Sequence, residues 1–214
     1  MSGQNIYHSQ TAKFIATVVQ SISGIPVDIM QDWIENPQDL NNVLIEVLCR
    51  ARHGPSFKVW KTIRLGTGLK TAKDFYEAIV TSGNRIGDWG HDILNQPAFV
   101  ARETEKEVSI VNISVAELGF EDGATRKDIY DRAIRLGLNL CPAEVGPQLC
   151  LQYNNKPKGE WLCVAMKPIA DSGAGVSRIF CVGHDGVVNW FFGVNGSPDS
   201  FWSGCSRWLF LGDK

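Results

Sequence analysis

Four groups of side chains in this sequence have types and spacing that chemistry could use. In LNLCPAEVGPQLCLQY, residues 138–153, Cys141, Glu144 and Cys150 could ligate a metal, or Cys141 could serve as a thiolate at a helix N-terminus. In DWGHD, Asp88, His91 and Asp92 fall on neighbouring helix positions, and carboxylates beside an imidazole do acid–base work or hold metals. His184 and Asp185 stand together before Gly186, where loop-tip residues can touch a ligand. Phe201 and Trp202 lie in a C-terminal third that also holds Trp161, Trp190 and Trp208; an exposed aromatic pair there would mark an interface.

Each group also has a plainer reading. Cys141 and Cys150 are nine residues apart, which fits no familiar zinc spacing, and no histidine is near them in sequence. The six cysteines include no CxxC pair, so they are expected to pack as small hydrophobes in a reducing compartment. Asp88 and Asp92 suit a helix start, His184-Asp185-Gly186 suits a hairpin turn, and the tryptophans suit a core. LGTGLKT lacks the spacing of a phosphate loop, and neither GxSxG nor HExxH occurs. No cofactor and no metal are expected. Asp88, His91, Glu144 and His184 are the catalytic candidates, and they act only if the fold gathers them.

The elements that must position these residues can be read from periodicity. Ala12, Ile15, Val18, Val19 and Ile22 form one helical stripe, and Gly24 ends it. Pro26 opens a second helix to Glu35, with Ile29, Met30, Trp33 and Ile34 facing inward; Asn36 caps a third. RHGPS, residues 52–56, reads as a linker between a helical segment, 1–53, and an α+β domain, 57–214. In that domain FKVWKTIRLG reads as a strand, and Thr71 with Asp74 forms a capping pattern for the helix after it. VSIVNISVAELG is a second strand, with Thr125 and Asp128 in the places of Thr71 and Asp74, 54 residues on. TAKDFYEAIVTSG and TRKDIYDRAIRLG align without a gap, so a duplicated strand–helix–helix unit and a chance likeness of two capped helices both stay open. Pro147 predicts a break near Gly146 and a new turn from Pro147 to Tyr153. GEWLCVAMKPI reads as an interior strand, 177–186 and 187–193 as a hairpin, and SRWLFLG as a last strand, giving an antiparallel C-terminal sheet.

Bulk properties bound the function. The chain has 214 residues, 44% apolar and 21% charged, which is ordinary globular composition. A net charge of −2 and a pI near 6.1 argue against a nucleic-acid partner, and the densest basic stretch, 126–135, carries Asp128 and Asp131 within it. TAKFIATVVQSIS is too short and too interrupted to span a membrane, and residues 1–10 are polar. A soluble cytoplasmic protein is expected.

GNRIGDWGHDIL, VAELGFEDGATRKDIYDRA, LGLNLCPAEVGPQLCLQY, PKGEWLCVAMKPI and FWSGCSRWLF together resemble an uncharacterised family scattered among diverse bacteria, over most of residues 57–214. The family has no established activity, so the resemblance implies no catalytic residue. It implies arginine as a common residue at the position of Cys150, which weakens a Cys141–Cys150 metal pair. The leading expectation is a non-enzymatic binding module for a protein or a small ligand, presenting loops and the aromatic end of the sheet. The runner-up is a hydrolase-like enzyme using the four catalytic candidates, and a nucleic-acid binder ranks third.

Overall fold

The computed structural model describes residues 26–40, 42 and 57–212, and the chain divides into two compact units, Met1–Gly54 and Pro55–Lys214. The first predicted helix, and most of the third, lie outside the described residues. The second is present as α1, Val27–Glu35, with Pro26 at its N-cap. Its apolar stripe does not enter a core. None of its residues is buried, and Ile34 is 70% exposed.

The second unit contains an eight-stranded mixed sheet and a small two-stranded one. Its elements, in chain order, are β1 (Lys61–Leu65), α2 (Ala72–Thr81), β2 (Arg85–Ile86), α3 (Asp88–Leu94), β3 (Lys106–Ser114), β4 (Ala124–Thr125), α4 (Arg126–Arg135), α5 (Val145–Gln152), β5 (Trp161–Val164), β6 (Ile169–Ala170), β7 (Ser177–His184), β8 (Asn189–Asn195), β9 (Phe201–Trp202) and β10 (Arg207–Leu211). The large sheet runs β1-β3-β10-β5-β7-β8-β2, with β6 on β7; β4 pairs with β9.

An α+β fold is therefore present, but its C-terminal strands do not form a separate antiparallel sheet. β10 inserts between β3, to which it is antiparallel, and β5, to which it is parallel; β2 also runs parallel to β8. As expected, β5 is interior, with Leu162, Cys163 and Val164 buried.

Alternation assigns the two faces. Cys163, Cys181 and Trp208 are register partners across β5, β7 and β10, so they share one face. Tyr130 of α4 stacks edge-on against Trp208 and Phe210 there. Phe180, one residue from Cys181, points the other way and meets Phe99, which packs on Phe75 of α2. The two expected strand–helix–helix stretches each hold an added two-residue strand, β2 between α2 and α3 and β4 between β3 and α4, and their first helices, α2 and α4, cover opposite faces. Their caps do match. Thr71 and Asp74 form a full capping box, and Thr125 accepts the Asp128 N–H.

The expected break in α5 does not occur. Residues 143–144 form a turn and the helix begins at Val145, so Pro147 falls in the first turn, where its missing N–H costs nothing. Val145 through Cys150 are all buried. Gly146 lets the helix reach β7, because a Cβ there would lie 2.8 Å from the Phe180 Cβ.

α5 touches β1 at one edge of the sheet and also β7 and β8 near the other. Five strand spacings would separate β1 from β8 by ~24 Å in a flat sheet, while a helix with its side chains is only about 10–12 Å across. The sheet must curl around α5. Among the described residues no helix is long and apolar enough to cross a membrane.

Candidate functional site

Among the described residues no hydrogen bond or ion pair joins any two of the four catalytic candidates. Trp89, beside Asp88, packs on Gly193, four residues along β8 from Asn189, the register partner of His184. That is about 13 Å at strand rise. His91 is exposed on α3, its ring 5.1 Å from that of Tyr76. Glu144 lies at the far end of α5 from Tyr153, nine residues or ~13 Å of helix away.

Glu144 is a structural clasp. Its Oε1 accepts the Gly66 N–H at 2.7 Å and the Gln148 amide at 3.1 Å, and its Oε2 accepts the Arg102 N–H at 2.9 Å. Gln152, two turns on, accepts the Arg64 N–H at 2.9 Å and donates to the Arg64 carbonyl at 2.7 Å. A side-chain amide thereby stands in for a neighbouring strand on edge strand β1. The Glu144–Gln148–Gln152 spacing on an otherwise apolar helix was the signal available in the sequence.

The cysteine readings change as well. Cys141 is buried, its Sγ donates to the Leu209 carbonyl at 3.4 Å, and burial pushes its thiol far up, the opposite of an activated thiolate. Burial raises the Cys150 thiol to about 11. Cys163 and Cys181, expected only to pack, are joined as a cross-strand disulfide.

At the hairpin, Asp185 accepts the Val187 and Val188 N–H groups, both at 2.8 Å, and the Trp190 indole at 2.7 Å. These bonds, that from Val188 foremost, hold its carboxyl down at about 2. His184 Nδ1 accepts the Gly186 N–H at 2.9 Å, and Gly186 supplies the positive φ of 98°. Of the two interface candidates, Phe201 is 66% exposed, while Trp202 turns inward, 4.9 Å from Trp208 and edge-on.

A different cluster gathers polar groups where α5 leaves the curled sheet. Trp161 pairs with Gly183, the Glu160 carbonyl accepts the His184 N–H at 2.9 Å, and His184 pairs with Asn189. Glu160, His184 and Asn189 therefore form a row across the ends of β5, β7 and β8. Over this row comes the loop after α5. Asn189 donates through Nδ2 to the Asn154 carbonyl at 3.1 Å, which fixes the amide with Oδ1 turned away. Tyr153 meets Trp60 edge-on at 5.1 Å, and the Lys61 ammonium sits 4.6 Å from the Tyr153 ring.

Lys156, in the loop after α5, lies against Tyr153. It is 5% exposed, and its amine donates to the Tyr153 carbonyl and lies 5.2 Å from that ring. Among the described residues no carboxylate is within ion-pair distance of it. Burial holds the amine below the ordinary lysine value; Cys150 and Glu160 oppose that, and Lys61 adds to it. Burial, then a hydrogen bond to the Glu160 side chain and that carboxylate's charge, raise the Tyr153 hydroxyl to about 12. Two acceptors in this cluster, Glu160 Oε2 and Asn189 Oδ1, are buried without a hydrogen-bond donor. Sequence reasoning missed Lys61, Tyr153, Lys156, Glu160 and Asn189, since they converge only through long-range pairing. A lysine and a glutamate around a Gly turn were the sole local hint.

No family model, curated protein or solved structure matches this chain. Among the described residues no group of three or more His, Cys, Asp and Glu side chains could hold a metal ion.

Proposed function

We propose that the chain is a non-enzymatic binding module whose ligand is a small polar molecule seated among Lys61, Tyr153, Lys156, Glu160 and Asn189. One observation carries this reading: the oxygens Glu160 Oε2 and Asn189 Oδ1 are buried without hydrogen-bond partners, near a buried amine with no carboxylate within ion-pair distance. An unmet buried polar group costs about 1–3 kcal/mol, and native structures rarely keep one without a reason. A ligand that completes the bonds supplies that reason.

The groups specify its chemistry. Glu160 and Asn189 call for N–H donors, Lys156 calls for a carboxylate or carbonyl oxygen, and Tyr153 with Trp60 provides an aromatic wall. An amino acid or a small amide carries both halves. Glu160 in the cluster disfavours a polyanion, so nucleic acid is a poor fit. The test is thermal unfolding of the wild type and of Glu160→Gln against free amino acids and small amides. A ligand at 100 times its Kd stabilises by about 2.7 kcal/mol. At least one compound should raise the wild-type Tm and leave Glu160→Gln unmoved; equal shifts in both proteins would place binding elsewhere.

A further inference from the structure

We infer that Cys163 and Cys181 are a reversible thiol–disulfide pair that exchanges with low-molecular-weight thiols across the half-open aromatic face of the sheet. The two residues are direct register partners on β5 and β7, with Cα atoms 4.3 Å apart. That is the separation of directly opposed residues in a non-hydrogen-bonded antiparallel pair, about 4.5 Å. Trp161 precedes Cys163 by two residues and so shares its face, as does Phe192, the register partner of Cys181. The two rings meet edge-on at 5.3 Å, and Trp161 is 43% exposed. Its indole lies across Gly183, where a Cβ would collide with it. The sulfurs thus belong to buried residues beneath a rim of two partly open rings.

The fold does not depend on the bond. β5 is hydrogen-bonded on one side to β7 and on the other to β10, so reduction leaves both ladders in place. Exchange is balanced without any bound cofactor. A small thiolate attacks the sulfur of Cys163, the less buried residue of the two at 7% against 1%. The S–S bond breaks, a mixed disulfide forms on Cys163, and Cys181 leaves as thiolate and takes a proton. A second small thiol then displaces the adduct, so one protein disulfide and two thiols become two cysteines and one small disulfide.

The test uses the full chain with Cys205→Ser, which removes the exposed free thiol. The protein is equilibrated in glutathione buffers of graded thiol-to-disulfide ratio, quenched in acid, unfolded and alkylated, and its peptides are weighed. Cys163 and Cys181 should be linked at the oxidised end and both alkylated at the reduced end, over repeated cycles, with an unchanged circular dichroism spectrum. In the same buffers Cys181→Ala should carry glutathione on Cys163. Linkage that never forms, linkage that no ratio breaks, or loss of the spectrum on reduction would each overturn the inference.

Discussion

Lys156 sets the residue-scale problem. A buried amine with no carboxylate within ion-pair distance carries a desolvation cost in the folded state. Lys156→Met should therefore raise stability by about 1 kcal/mol at neutral pH, measured by denaturant unfolding, while abolishing ligand binding. Its pH dependence has a definite direction. The folded-state value of Lys156 lies below the unfolded one, so the unfolded chain holds the proton more tightly. Wild type should gain stability relative to Lys156→Met as pH rises from that depressed value towards about 10.4. Asp185 behaves in the acid range. Its carboxyl is depressed to about 2, so its support for the β7–β8 turn is complete above about pH 4 and is lost as pH falls through about 2. The Trp190 indole N–H resonance should shift over that interval, and Asp185→Asn should abolish the titration. The turn residues were legible in the sequence because Asp-Gly acts locally. The unusual state of Lys156 was not, because its surroundings come from β1, from the loop after α5 and from β5.

At the scale of elements, α5 is a buried axle fixed by its own polar side chains. Glu144→Ala would leave the Gly66 and Arg102 N–H groups without their acceptor, at a cost of about 3 kcal/mol or more, seen as a fall in the denaturant midpoint. Loss of the Thr125 cap on α4 should cost only about 1 kcal/mol, because just the end of one helix is affected. Both caps were legible from Thr-x-x-Asp alone, as was the interior placement of β5 from its two apolar faces. The continuity of α5 was not. Pro147 reads as a breaker until the turn at 143–144 shows that the helix starts late enough to accept it. The inward face predicted for α1 also failed, because periodicity identifies an apolar stripe but not whether anything covers it.

For the whole molecule, the decisive feature is non-local. The last strand, β10, completes the sheet by entering between β3 and β5, nearly a hundred residues from its β3 partners. No local pattern encodes that insertion, so the expected antiparallel C-terminal sheet became one mixed sheet spanning the unit. Because Pro55–Lys214 is a compact unit by itself, residues 55–214 alone should unfold in a single cooperative transition; a broad, non-cooperative melt would contradict this. The same long-range pairing brings half-buried Glu160 and Asn189 towards buried Lys156.

The most direct measurement of the proposed binding is capture of small molecules. Wild type and Glu160→Gln, each shown to be folded by circular dichroism, are incubated with a protein-free cell extract, ultrafiltered and denatured, and the released compounds are identified by mass spectrometry. The cluster predicts at least one small compound bearing N–H donors and a carboxylate or carbonyl that wild type retains and Glu160→Gln releases. Identical retention by the two proteins, or none by either, would contradict it.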